Sequence, residues 1–204
     1  LGLLYDVDMR LRPSGNAGLL VCHINGFTTY ETENAWTWEH QALGRARFIL
    51  GCCELRERFS AVRLSVLSKP RVLLELANEV VSMREKMRAH LAKGDAKNID
   101  LKQDAGGIAD IEFIVQFMLL AHTSDFPSLA KWSDNVRILA DLARLSLITQ
   151  TEADTLNEAY LKYRNYAHRT ALQNIVLVAI NPSIVALQTK VKAIWNKYLV
   201  NLSK

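Results

Sequence analysis

Apolar and polar positions change period along the chain. Over residues 4–11 they alternate: Tyr5, Val7, Met9 and Leu11 fall on one side, and Asp6, Asp8, Arg10 and then Arg12 on the other. That is the period-two signature of a half-buried strand. Pro13-Ser-Gly-Asn-Ala-Gly18 reads as a turn and residues 19–24 as a second short strand, so a short N-terminal β-hairpin is predicted. A two-stranded hairpin is not stable alone in water, so its sheet neighbours are expected upstream of Leu1.

From about residue 27 the helical period takes over. It predicts helices over residues 35–50 and 52–67, separated by Gly51. Pro70 after Ser68 then opens a long helix, with Leu73, Leu76, Val80, Met83, Met87 and Leu91 along one stripe and Gly94 as its end. Residues 94–105 are polar and loop-like, and Gly106-Gly107 precede a strongly apolar helix over residues 108–122. Further helices are predicted over residues 135–145, from a Thr151/Asp154 capping box to about residue 173, and from Pro182 to about residue 199. The expected fold is mainly α, an irregular helical bundle behind a short hairpin, with residues 1–26 as one unit and 27–204 as another.

Composition narrows the reading. The 204 residues include only 9 Gly and 4 Pro, about half the usual roughly 12%, which disfavours a turn-dense β fold. Half of the residues are hydrophobic, which excludes intrinsic disorder. The longest apolar runs, 117–121 and 175–180, fall far short of the roughly 20 residues of a membrane span. Leu1 is no initiator, and the start reads as a cut within a longer chain. Three cysteines, two of them adjacent, speak against a disulfide framework and for a reducing, cytoplasmic setting. A net charge of +4 with interleaved signs, as in Glu54-Leu-Arg-Glu-Arg58 and Arg84-Glu-Lys-Met-Arg88, points to solvated helix faces and not to a nucleic-acid partner.

Candidate chemistry starts on the first strand. Asp6, Asp8, Arg10 and Arg12 share one face: a carboxylate suits a divalent cation and a guanidinium suits phosphate oxygens, although a solvated edge strand has the same pattern. Gly106-Gly107 with Lys102 nearby offers helix-start amides to an anion or simply a helix cap. Asp110 and Glu112 are acids on an apolar helix, where at least one is expected to be buried against an arginine. Trp36, Trp38 and Glu39 precede Gln41, Arg45 and Arg47; Gln41 and Arg45 form an i,i+4 pair and the tryptophans are expected in the core. Tyr160, Arg164 and His168 align at four-residue steps. No His or Cys has metal-ligand spacing, and GxSxG is absent.

Four segments together carry a resemblance: Tyr5-Asp-Val-Asp-Met-Arg-Leu-Arg-Pro-Ser-Gly15 with Gly18-Leu-Leu; Ala35-Trp-Thr-Trp-Glu-His-Gln-Ala-Leu43 with Arg45-Ala-Arg47; Met83-Arg with Lys86-Met87; and Gly106-Gly-Ile-Ala-Asp-Ile-Glu-Phe-Ile-Val-Gln116. In order and spacing the chain resembles the glutamine synthetase adenylyltransferase family over about residues 4–173. In that family two nucleotidyltransferase units, each followed by a helical domain, remove AMP from and add AMP to a tyrosine of glutamine synthetase. The Ser14-Gly15-Asn16 turn and the tryptophan segment are more similar to the C-terminal, adenylylating half. The resemblance implies that residues 1–26 end a catalytic domain and 27–204 form the helical domain after it. It implies Asp8 as a catalytic, metal-binding carboxylate facing acids of an upstream motif, with Mg²⁺ and ATP as cofactors. Arg10, Arg12 and Lys102 would meet the nucleotide, and Asp110, Glu112, Glu39 and Arg47 would line the cleft or form structural ion pairs. Glutamine synthetase and the P-II signal protein are the implied partners. The deadenylylating half, or a docking module for those partners, is the alternative, and the isolated piece is expected to be inactive.

Overall fold

In the computed structural model, which describes residues 9, 12–95, 97–173 and 177–203, the chain runs through α1 (Ile24–Thr29), α2 (Thr37–Arg45), α3 (Cys53–Leu67), α4 (Leu73–Leu91), β1 (Asn98–Ile99), α5 (Ile108–His122), α6 (Asn135–Arg144), α7 (Gln150–Ala171), β2 (Val178–Ala179) and α8 (Pro182–Trp195). The fold is mainly α, and α5 organises it. This helix is apolar around its circumference, with 12 of its 15 residues buried, so it has to be wrapped on every side. α2, α4, α6, α7 and α8 all pack on it. Ile111, Ile114 and Phe117 join Val80 of α4, Leu139 of α6, Tyr163 of α7 and Val191 of α8 in the core.

The last helix belongs to that core. Gly106 has φ +79°, and a Cβ there would come within 2.4 Å of the Gln188 carbonyl oxygen on α8. Glycine is required at this point both for its backbone conformation and for the close approach. Residues Asn98 and Ile99 pair antiparallel with Ala179 and Val178, which ties the loop before α5 to the segment before α8. Past Trp195 the chain makes a wide π-helical turn, Asn196–Val200. There Lys197 Nζ and Tyr198 Oη donate to Glu152 in the first turn of α7, each at 2.7 Å. No described helix is long and apolar enough to cross a membrane.

Several predicted elements are corrected. Asp6, Asp8 and Arg10, and with them most of the first predicted strand, lie outside the described residues. Residues 19–24 form no strand: α1 starts at Ile24, where His23 Nδ1 accepts the Asn25 amide at 3.1 Å, and Leu19, Leu20 and Val21 stand exposed with no ladder partner among the described residues. α2 stops at Arg45 because the buried Arg63 guanidinium takes the Leu43 and Gly44 carbonyls at 3.1 and 2.6 Å. It also takes those of Ala130 and Trp132. α4 begins at Leu73, not Pro70, since Val72 is extended and Arg71 turns back to the Val66 carbonyl. The cap of α7 is Thr149 with Glu152 rather than Thr151 with Asp154. Both pairs have the right spacing, and the box closes on the glutamate.

Candidate functional site

After α1 the chain makes a π-helical turn, Tyr30–Asn34, which brings two side chains against the start of α2. Glu39 serves both elements: Oε2 accepts the Trp36 amide at 2.9 Å and Oε1 accepts the Tyr30 hydroxyl at 2.6 Å. The hydrogen bond to Glu39, with burial, raises the Tyr30 phenol. Glu31 is buried. Burial pushes its carboxyl up to about 7, helped by the charge of Glu39 and opposed by that of Lys69. Glu31 Oε2 has no hydrogen-bond partner.

Beside it lies His40, also buried. Nε2 is 2.9 Å from the Glu31 carbonyl oxygen and Nδ1 is 3.2 Å from Arg71 Nη2. An acceptor at Nε2 and a donor at Nδ1 select the neutral, Nε2-protonated ring, and burial lowers its affinity for a second proton.

Of these residues, Glu31 and Glu39 border a cleft of about 300 Å³, lined also by Arg12, Phe27, Trp38 and Arg45. Arg12 donates to the Met9 and Gly18 carbonyls, so it closes the turn at residues 13–18 while its side chain borders the cleft. Aromatic walls with two guanidiniums beside them suit a planar ring that carries an anionic group. Trp38 also borders a second, larger groove of about 710 Å³ next to it. The expectation that the tryptophans are core is not met: Trp36 is 70% exposed and Trp38 36%, because the N-terminal turn of α2 projects past the bundle that buries His40, Gln41 and Leu43.

The acids of α5 face arginines. Asp110 Oδ1 lies 2.7 Å from Arg84 Nε and 3.0 Å from Arg88 Nη2, and Oδ2 accepts the Gly106 amide at 2.7 Å. Arg84 also donates to the Gln103 carbonyl at 2.7 Å. Arg84 is fully buried, so this charge pattern is not a solvated face. Its position on the Leu76, Val80 stripe, one turn after Val80, is the signal that reveals it. Glu112 pairs with Arg45 at 2.8 Å and Gln41 donates to Gln116 at 3.2 Å. Gln41 and Arg45 thus both reach across to α5 instead of pairing with each other.

The amides at the start of α5 are taken within the protein. Gly107 donates to the Asp104 carbonyl, Ile108 to that of Leu101 and Ala109 to that of Lys102, which leaves none of them for an anion. Lys102 is exposed and its amide donates to Asp100 Oδ1 at 3.0 Å. Arg47 is exposed, makes no ion pair among the described residues, and borders a hollow with Arg63 and Lys131. On α7, Arg164 lies over the buried Tyr160 ring at 5.4 Å and His168 is exposed. Nothing in local spacing marks His40 or Arg63, whose partners are backbone carbonyls, or Glu31, whose Oε2 is buried without a hydrogen-bond partner. Among the described residues, no group of three or more His, Cys, Asp or Glu could hold a metal ion.

The sequence profile of the family described as Glutamate-ammonia ligase adenylyltransferase matches residues 1–62, and that described as GlnD PII-uridylyltransferase matches residues 81–175. Over 200 residues, 98% of the chain, the sequence is 51% identical to the bifunctional glutamine synthetase adenylyltransferase/adenylyl-removing enzyme of Shewanella loihica, covering 21% of that protein. It is 44% identical over 196 residues, 96% of the chain, to the protein of the same name from Pasteurella multocida, covering 20% of it. The chain spans about a fifth of the length of these curated relatives.

Proposed function

Because the chain belongs to the glutamine synthetase adenylyltransferase/adenylyl-removing enzyme family, we propose that it is part of an enzyme that transfers AMP from ATP to a tyrosine of glutamine synthetase, and that it comes from the adenylylating half. The observation that carries the enzyme reading is 51% identity across 98% of the chain; the choice of half rests on the Ser14-Gly15-Asn16 turn and the Ala35 to Leu43 tryptophan segment. In the reaction the tyrosine oxygen bonds to the α-phosphorus, the α–β phosphoanhydride bond breaks, pyrophosphate leaves with the electron pair, and the phenolic proton passes to solvent.

Asp8 would supply one carboxylate to Mg²⁺, and that ion would stabilise charge at the phosphorus. The described residues hold no metal set of their own. Their part is to shape and charge the cleft: Arg12 and Arg45 offset phosphate charge, Phe27 and Trp38 wall it, and Glu39 fixes the turn from which Glu31 faces it. Arg45 is in turn held by Glu112. Since the amides beside Lys102 are bonded within the loop, the phosphates are met at the arginines. Residues 1–26 complete the catalytic domain and residues 27–204 support it.

The test is AMP transfer by the full-length protein. Losing a metal ligand removes several kcal/mol of transition-state stabilisation, so Asp8→Asn should cut turnover about a thousandfold or more. Asp6→Asn removes only a neighbouring charge and should retain most activity. The isolated 204-residue chain should transfer no AMP. Near-normal turnover in Asp8→Asn would overturn the assignment.

A further inference from the structure

Glu31 sits in the π-helical turn Tyr30–Asn34, and the bonds that hold this turn do not use its carboxyl. On either side of it the Tyr30 hydroxyl donates to Glu39 Oε1 at 2.6 Å and the Thr32 hydroxyl to the Thr28 carbonyl at 2.8 Å. The Glu31 backbone carbonyl accepts from His40 Nε2. Lys69, whose charge acts on Glu31, donates to the Thr32 carbonyl at 2.6 Å instead. Glu31 is only 6% exposed, and its Oε2 is left without a hydrogen-bond partner. A buried carboxyl oxygen in that state costs free energy and is rare in folded proteins. Single π-helical turns are in addition frequent at functional sites.

The same residue borders the cleft of Arg12 and Arg45. Phe27 and Phe59, which also line it, stack with their ring centroids 6.0 Å apart, and Trp38 adds a further aromatic wall. Of the parts of a nucleoside triphosphate, the base is the one whose flat faces suit such walls. Phosphate oxygens offer a carboxyl no donor, whereas the exocyclic amino group of adenine offers N–H donors at the ring edge. Guanine has an oxygen at that ring position, which would set acceptor against acceptor. A carboxyl can accept from the amino group whether it is ionised or neutral.

Resting on the function proposed above, we propose that Glu31 reads the base of the nucleotide, its carboxyl accepting a hydrogen bond from the amino group of adenine. Arg12 and Arg45 offset the phosphates in the same cleft, so the acid and the guanidiniums take different parts of one ligand.

AMP transfer by the full-length enzyme tests this, with ATP compared against purine riboside triphosphate, which lacks only the amino group. In the wild type the KM should be about tenfold or more higher for the analogue, because a site built to bond a polar group rejects the ligand without it. In Glu31→Ala the KM for ATP should rise to that of the analogue. Glu31→Gln keeps a carbonyl acceptor and should keep most of the discrimination, and the KM for glutamine synthetase should be unchanged in both variants. A wild type that treats the two nucleotides alike would overturn the proposal, and so would a Glu31→Ala enzyme that still separates them as the wild type does. If Glu31→Ala instead removes a preference for ATP over 2′-deoxy-ATP, the carboxyl meets the ribose and the proposal fails. If the wild-type protein transfers no AMP at all, the functional reading falls, while the Kd values of ATP and the analogue for wild type and Glu31→Ala still decide what Glu31 recognises.

Discussion

Arg84 and Asp110 meet where neither side chain is open to solvent, with Arg84 Nε 2.7 Å from Asp110 Oδ1 and exposures of 0% and 2%. The pair joins α4 to α5, and through Gly106 and Gln103 it also holds the loop between them. Its energetics follow from that enclosure. Two buried charges cost desolvation, so removing one leaves the other without compensation.

Asp110→Asn should therefore destabilise the protein by roughly 3 to 5 kcal/mol. Glu112→Gln, which frees the 43%-exposed Arg45, should cost about 1 kcal/mol or less after solvent screening. Urea unfolding midpoints of the two variants check the contrast, and equal losses would contradict it.

Glu31 gives stability the opposite pH dependence from most carboxyls. Its ordinary value is 4.5 and its folded value about 7. Between these the folded state keeps a proton that the unfolded state has lost, so stability falls as pH rises through the window, and the cost is complete above it. Glu31→Gln cannot ionise. It should match the wild type near pH 4 and exceed it at pH 8 by up to about 3 kcal/mol, at 1.36 kcal/mol per unit. A glutamine variant weaker than the wild type at pH 8 would mean that the carboxylate has a favourable partner.

Glu152 behaves conventionally. Burial alone would raise its carboxyl, but hydrogen bonds from Lys197, the Thr149 amide, Tyr198 and the Thr149 hydroxyl outweigh it and hold the group down to about 2. A folded value below the ordinary 4.5 means a contribution fully present above pH 4.5 and lost as pH falls towards 2. Glu152→Gln should cost about 1 kcal/mol at pH 7 and close to nothing at pH 2. Paired unfolding curves at the two pH values measure the difference.

What could be read from the sequence divides by how local the cause is. The limits of α5 were legible because a strongly apolar run abuts Gly107, and both facts lie within the segment. The start of α4 was not, because Arg71 is drawn back to Val66 and His40 by partners 5 and 31 residues away, and a proline after a serine suggests a helix start whether or not that happens. The early end of α2 has the same origin, since Arg63 lies in the next helix. In the candidate site, Glu39 could be named from its segment. Glu31 could not, since its environment is assembled from the π-helical turn, α2 and Lys69. The exposure of Trp36 reverses the usual expectation for tryptophan, because it stands at the N-cap of α2 and the buried residues of that helix begin only at His40.

The contact between Gly106 and α8 also constrains how the sequence can change. The atom that a Cβ at residue 106 would strike belongs to the Gln188 backbone, with its carbonyl carbon and Cα close behind, and no replacement of the Gln188 side chain would move them aside. Substitution is therefore one-sided. Residue 188 can be exchanged without touching this contact, whereas any side chain at 106 drives the loop away from α8 and loosens Asp110's hold on the Gly106 amide. A single methyl group there would reach the ion pair through Asp110, four residues along the chain.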